Sequence, residues 1–207
     1  GLAERINELG MKFGLWFEPE MISIDSDLYR EYPDWAIRTE GRLPIYSREQ
    51  LVLDLTKQEV CDYIIDSVSS ILESANISYV KWDMNRNITN IPEGLANDQR
   101  FEFHHRYMLG LYRVLDHLTK RFPDILFESC AGGGGRNDLG IMYYMPQAWA
   151  SDDTDAIERL SIQEGTSLIY PPSSIGAHVS AVPNHQVGRI TPLATRGNVA
   201  MMGGAFG

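Results

Sequence analysis

The chain has 207 residues, 43% hydrophobic and 22% charged, enough at this length to bury the core of one domain. Its 28 acidic residues outnumber 18 basic ones, for a net charge of -10, which sets it against nucleic acid, because phosphates want the opposite sign. No apolar run approaches the roughly 18 residues of a membrane span, and Cys61 and Cys130 make neither a metal-type pair nor a disulfide framework, so a reducing, cytoplasmic setting is expected.

In chain order, Leu2, Ile6 and Leu9 form a helical stripe stopped by Gly10, and the chain is therefore expected to begin inside a fold. Residues 12–17 read as a strand and 50–55 as another. Residues 57–75 predict a helix carrying Val60, Ile64, Val68, Ile71 and Leu72, with Thr56 and Glu59 as a capping box. A strand follows at 77–82, then a helix at 100–121 built on Phe103, Tyr107, Leu111, Leu115 and Leu118, and a strand at 124–128. Residues 145–149 predict a strand, 155–169 a helix, 175–179 a short strand and 191–202 a helix. The glycine-rich end at 203–207 is read as the start of a last strand.

Strands separated by helices imply a parallel sheet, since each crossover returns the chain to the same end. No strand leads into a G-x-G-x-x-G turn, which argues against an open dinucleotide sheet. Polar residues instead follow nearly every strand: Glu18 and Glu20, Asp54, Asp83, Glu128, Asp152 and His178. A barrel collects its site in that way from many strands. The fold class is read as α/β, a (β/α)8 TIM barrel that is incomplete. It lacks its first strand, or its first two if 50–55 belongs to a loop excursion, and most of its last. Residues 1–207 form one barrel fragment without repeats or linkers.

Four motifs carry chemistry. The strand Tyr79-Val80-Lys81-Trp82-Asp83-Met84-Asn85-Arg86 ends in charged and amide groups, and alternation puts Lys81, Asp83 and Asn85 on one face. Lys81 is read as counter-ion to Asp83, with a Schiff-base lysine as the rival reading. The connection between residues 17 and 50, with Trp35, Tyr46 and Arg48, is long enough for a lid or wall, or is a surface excursion. The run Glu128-Ser129-Cys130-Ala131-Gly132-Gly133-Gly134-Gly135-Arg136 lacks the Gly-Lys-Ser/Thr ending of a phosphate loop. A flexible turn and a set of backbone donors to a ligand both stay open.

The fourth motif is Ser151-Asp152-Asp153-Thr154-Asp155. A calcium loop starting at Asp152 would need glycine and glutamate where Ile157 and Gln163 stand. Asp155 suits a helix N-cap and sits four residues before Arg159, a spacing for an ion pair. Asp83 and Asp152 together are the minimum for retaining glycoside hydrolysis, with Lys81 keeping Asp83 ionised and a less cationic setting needed around Asp152. Metal-dependent and Schiff-base barrel chemistries are the rivals. The five histidines show no zinc-type spacing; His104 and His105 read as surface or packing residues, and His178 as a residue of a pocket.

Five segments in order resemble the catalytic barrel of the glycoside hydrolase family 36 α-galactosidases, nearly end to end. They are Gly14-Leu15-Trp16-Phe17-Glu18-Pro19-Glu20, Lys81-Trp82-Asp83-Met84-Asn85, the Glu128 to Arg136 run, the Ser151 to Asp155 run, and Gly176-Ala177-His178-Val179-Ser180. The resemblance implies hydrolysis of terminal non-reducing α-D-galactosyl residues from melibiose- or raffinose-type oligosaccharides by retaining double displacement, without cofactor or metal. It gives Asp83 the nucleophile's role and Asp152, directly after the serine, the acid/base role. It places Trp16, Arg48, Lys81, Cys130, Gly132 and Gly133 around the sugar, with Asn85 as a further contact. Cys130 then reads as a small wall group, and Glu18 and Glu20 as supporting partners, to Arg48 among others. An α-N-acetylgalactosaminidase, a galactosyltransferase and a non-catalytic sugar-binding module are the alternatives. Members also carry an acidic pair on an early strand and flanking β domains that have no counterpart in this sequence. This chain alone is thus expected to be inactive, with the full-length enzyme a homo-oligomer.

Overall fold

Helical periodicity dictates the longest element. In the computed structural model, which describes residues 1–92 and 94–206, the predicted stripe Phe103, Tyr107, Leu111, Leu115 and Leu118 is fully buried. The residues fall into two units: Gly1–Val80 with Met84–Ile125, and Lys81–Asp83 with Leu126–Gly207.

The first unit contains α1 (Leu2–Glu8), β1 (Gly14–Phe17), β2 (Met21–Ser23), α2 (Asp27–Glu31), a 3-10 turn at Pro33–Trp35, β3 (Gln50–Val52), α3 (Gln58–Glu73), the start of β4 (Tyr79–Asp83) and α4 (Asn97–Arg121). The expected α1 stripe is not its buried face: Ala3 is buried, whereas Leu2 and Leu9 are exposed. The strand expected at 50–55 is the short β3, which pairs antiparallel with β2 in register Met21↔Val52, Ile22↔Leu51 and Ser23↔Gln50. That two-stranded sheet is separate from the one containing β1 and β4, so the loop-excursion reading of this stretch applies. Within the long connection Trp35 is a core residue, stacked on Tyr32 at 4.3 Å and edge-on to Tyr63.

Helix α3 buries Val60, Ile64, Val68 and Leu72, while Ile71 is exposed. Its N-cap is Lys57 and not the predicted Thr56. The Thr56 N–H and hydroxyl instead donate to Asp54 Oδ1, at 3.0 and 2.6 Å, a local turn that wins over the capping box because the acceptor lies only two residues back. Helix α4 approaches the chain before α3 so closely that a Cβ at Gly110 would overlap the Leu55 carbonyl. The Cys61 thiol, pushed up to about 11 by burial, donates to that carbonyl oxygen at 3.3 Å.

The second unit contains the end of β4, then β5 (Leu126–Cys130), α5 (Leu139–Tyr144), β6 (Gln147–Trp149), α6 (Ala156–Ser167), a 3-10 turn at Pro172–Ser174, β7 (Ile175–Ala177), α7 (Leu193–Ala200) and β8 (Ala205–Phe206). Strand order is β4-β5-β6-β7-β8. Strands β5 to β8 run parallel, with Glu128 opposite Gln147, Ser129 opposite Ala148, Trp149 opposite Gly176 and Gly176 opposite Ala205. Every residue of β6 and β7 is buried, as expected of parallel strands covered on both faces. This is the predicted α/β alternation. The last strand lies where the 203–207 reading put it, except that Gly207 falls outside the described residues.

Asp155 caps α6, its carboxylate accepting from the Ile157 and Glu158 N–H groups. The expected Asp155–Arg159 pair does not form. Asp155 is paired with Arg189, and Arg159 turns into the interior, its Nη2 donating to the Gly176 carbonyl at 3.3 Å. Helix α5 was not foreseen; its signal was Asp138, whose carboxylate accepts from Ile141 N–H at 2.8 Å. Among the described residues no helix is long and apolar enough to cross a membrane.

Candidate active site

In the first unit the predicted residues gather at the end of β1. Trp16 is 49% exposed, on a strand whose alternate positions are partly buried. Just beyond it, Glu18 Oε1 accepts from Asn85 Nδ2 at 2.6 Å and Arg48 Nη1 at 3.1 Å. Glu18 is therefore the supporting carboxylate for Arg48. Glu20 is not: it is buried and accepts from the Tyr107 hydroxyl at 2.9 Å.

Arg48 reaches Glu18 from a two-residue hairpin. Ser47 and Gln50 exchange backbone hydrogen bonds at 3.4 and 3.1 Å, leaving Arg48 and Glu49 as the central residues at φ 53° and 60°. Both are left-handed, the geometry in which Asn-Gly is preferred. Side-chain-bearing residues there cost about 1 kcal/mol or more each.

In the second unit β4 presents Lys81 and Asp83 on one face, as alternation requires. Asp83 ends the strand and is buried. The expected counter-ion relationship is corrected here: Lys81 Nζ is paired with Glu128 Oε1 on the neighbouring strand at 2.9 Å. The other carboxylate oxygen accepts from Gln147 Nε2 at 2.6 Å, and Gln147 is the register partner of Glu128 on β6. The line Gln147, Glu128, Lys81 is thus built by the pairing of three successive strands. Sequence separation hid it, since only register makes residues 81, 128 and 147 neighbours.

Trp149 lies among these groups. Lys81 Nζ stands 4.7 Å from its ring centroid, the Arg159 guanidinium carbon 4.2 Å from it, and the His178 ring 4.3 Å from it in a tilted stack. A buried indole face attracts such cations. Burial, then the Lys81 ammonium and Arg159, push the His178 imidazole below its ordinary range, against the opposing pull of Glu128. Burial also lowers the Arg159 guanidinium, while Asp153 and then Asp152 act to raise it. The surroundings of Asp152 therefore include the Arg159 cation.

Cys130, at the end of β5, is buried. Burial pushes its thiol up to about 12, and its hydrogen bond with Asp83 acts in the same direction against Gly133 N–H and Lys81. A thiol so placed stays protonated at neutral pH and is ill suited to act as a nucleophile.

The glycine run explains itself by close approach. Gly132 and Gly133 are left-handed, at φ 56° and 82°. A Cβ at Gly133 would stand 2.8 Å from Ser151 Cα and 2.9 Å from Asp152 N. Gly134 N–H donates to the Ala150 carbonyl at 3.1 Å and Ala131 N–H to the Gly133 carbonyl at 2.8 Å. The run packs backbone against backbone beneath residues 150–152.

Of the three clustered carboxylates, two are used locally. Asp155 caps α6, and Asp153 Oδ1 accepts from Asp155 N–H at 3.0 Å. The remaining one, Asp152, is exposed, with its own carbonyl accepting from Gln186 Nε2 at 2.9 Å. Gln186 and Asn184 were not among the predicted residues, and no spacing in the sequence marks them. Among the described residues no three His, Cys, Asp or Glu side chains converge as a metal-ligand set.

Residues 1–207 match the family model described as Melibiase. The chain is 61% identical over 204 residues to α-galactosidase AgaA of Geobacillus stearothermophilus, covering 98% of this chain and 28% of that protein. It is 57% identical over 202 residues to α-galactosidase Mel36A of Lactobacillus acidophilus, covering 97% and 28%. A crystal structure of an AgaA variant in complex with raffinose superimposes with a TM-score of 0.96 at 60% identity, over 100% of this chain and 29% of that one. The chain thus spans less than a third of the length of these relatives.

Proposed function

The chain belongs to the Melibiase family, and from that premise we propose that it carries the catalytic centre of a retaining α-galactosidase acting on terminal α-D-galactosyl residues of galacto-oligosaccharides. The parallel strands and intervening helices are read as consecutive members of a (β/α)8 barrel. The observation that supports the chemistry best is that Asp83 and Asp152, distant in sequence, belong to one unit and are linked through one loop. Cys130, at its start, is hydrogen-bonded to Asp83, and Gly133 lies against the backbone of Asp152.

An ionised Asp83 oxygen attacks the anomeric carbon as the bond from that carbon to the leaving oxygen breaks, and the Asp152 proton passes to the leaving oxygen. The galactosyl ester on Asp83 is then opened by a water that attacks the same carbon and gives its proton to Asp152. Both carboxyls return to their starting states. Lys81, paired with Glu128, is read as a donor to sugar hydroxyls. Cys130 and the glycines Gly132 and Gly133 give the ring a compact wall. In the first unit the same reading gives Trp16 an apolar sugar face and Arg48 and Asn85 hydroxyl contacts.

The test is azide rescue in the full-length protein. Asp83→Gly is expected to abolish hydrolysis of an aryl α-galactoside, and added azide to restore turnover with β-galactosyl azide as product. A variant that hydrolyses at the parent rate, or never responds to azide, would remove Asp83 from the nucleophile's role.

A further inference from the structure

The Asp152 backbone is gripped from two sides. On one side lies Gly133, where there is no room for even a methyl group against Ser151 and Asp152. On the other lies the side-chain amide of Gln186, whose Nε2 donates to the Asp152 carbonyl at 2.9 Å while its Oε1 accepts from Thr154 N–H at 2.8 Å. One planar amide bonded to residues two apart does what a neighbouring strand would do: it fixes both peptide groups flanking Asp153 on one edge.

The loop that carries Gln186 is itself built for this. Asn184 is buried, and its Oδ1 accepts from the Gln186 and Val187 N–H groups at 2.9 and 3.1 Å. Its backbone closes the loop through Asn184 N–H to the Arg189 carbonyl at 2.9 Å and Gly188 N–H to the Asn184 carbonyl at 2.8 Å. Asn184 Nδ2 also donates to Thr154 Oγ1 at 3.2 Å. At the far end Arg189 is paired with Asp155 and, at 3.1 Å, with Glu158. Residues 184–189 are tied to residues 152–158 at several points, and the central tie is to the backbone of Asp152.

We propose that Gln186 is a positioning residue for Asp152, setting the backbone from which that carboxyl delivers its proton. This rests on the acid/base reading of Asp152 given above. The Asp152 side chain is exposed, so packing does little to aim it, and its direction comes from where its Cα is held. Gln186 touches no reacting atom. Its contribution is orientation, to which proton transfer is sensitive, because a displacement of about 1 Å costs on the order of a hundredfold in rate.

Leaving-group chemistry separates that role from a structural one. A departing sugar alkoxide needs a proton in the first step, whereas a departing nitrophenolate hardly does, and kcat/KM reports that first step. In the full-length protein, Gln186→Leu is expected to lower kcat/KM for raffinose about tenfold while leaving that for 4-nitrophenyl α-galactoside within about twofold. Gln186→Glu keeps the acceptor for Thr154 N–H but loses the donor to Asp152, and is expected to show the same selective loss. Equal losses on both substrates in the two variants, or no loss on raffinose, would overturn the proposal. A parent protein inactive on both substrates would instead count against the α-galactosidase reading itself.

Discussion

In the first unit, Glu18 gathers Arg48 and Asn85 beside β1, with the Arg48 side chain 54% exposed and its backbone left-handed. In the second, Lys81 is bound to a Glu128 whose side chain is only 3% exposed, with Gln147 on the other carboxylate oxygen. A pair with one partner in solvent contributes little and is screened by salt. A pair better sheltered from water, with its cation 22% exposed, holds its geometry more firmly and is costlier to break on one side. The first unit thus aims its cation mainly with backbone, through a strained hairpin. The second aims a less exposed cation, Lys81 at 22%, with a carboxylate at 3% that differs little from Glu18 at 8%. The same residue classes are held by different physics, and the two arrangements should fail in different ways.

The largest effect is expected from Glu128→Gln. The substitution keeps the shape but removes the charge that offsets Lys81 and sets an amide against the Gln147 donor. Because the Lys81 side chain retains 22% exposure, the loss should fall short of that for a fully enclosed pair, at about 2 to 3 kcal/mol. Chemical denaturation of the full-length protein measures it, and galactoside turnover should fall with it. A change below about 0.5 kcal/mol would erase the contrast between the units.

Glu18→Gln is the matched change in the first unit. The new amide oxygen still accepts from Asn85 and Arg48, and Arg48 remains in solvent, so stability should change by less than about 1 kcal/mol. Its effect should be on substrate affinity: a rise in KM with kcat nearly kept, since Arg48 is read as a ground-state contact. A drop in kcat of the size seen for Glu128→Gln would mean that the two arrangements are not distinct.

How much of this was legible before the structure follows the range of each interaction. Helix α4 was the most legible element, because its buried stripe recurs from Phe103 to Leu118 within a helix of 25 residues and each repeat reinforces the last. The Asp155 cap was legible because it is local, the N–H donors to its carboxylate being two and three residues away. Asp83 and Asp152 were singled out as carboxylates at strand ends, whereas the glycine run read as a flexible turn or as donors to a ligand, and its packing on the backbone of residues 150–152 was not visible. What stayed hidden depends on register. Nothing within a few residues of Lys81 points to Glu128, and the nearby Asp83 was the natural wrong partner. Arg159 has the spacing of a surface ion pair with Asp155, yet burial on Trp149 prevails because α6 turns that position inward. The Gln186 clamp spans 34 residues to Asp152, and a lone glutamine in a polar loop carries no periodic signal. The hairpin at Arg48 was hidden differently: Arg-Glu is a poor dipeptide for two left-handed residues, so local propensity argued against the turn that forms.

That conflict yields the smallest and sharpest expectation. At φ 60° Glu49 occupies the second central position of the hairpin, where glycine is at home and a side chain is strained. Glu49→Gly relieves the strain at one residue and leaves Arg48 in place, while adding chain entropy to the unfolded state. The net is a stabilisation of about 0.5 kcal/mol, read as a small rise in the denaturation midpoint at constant slope. If the turn is what aims Arg48, the glycine variant, which favours the same backbone geometry, should keep the parent KM. A destabilised variant would mean that Glu49 makes a contact worth more than the strain. An unchanged stability with a raised KM would mean that side-chain pairing with Glu18, and not the hairpin, sets the direction of Arg48.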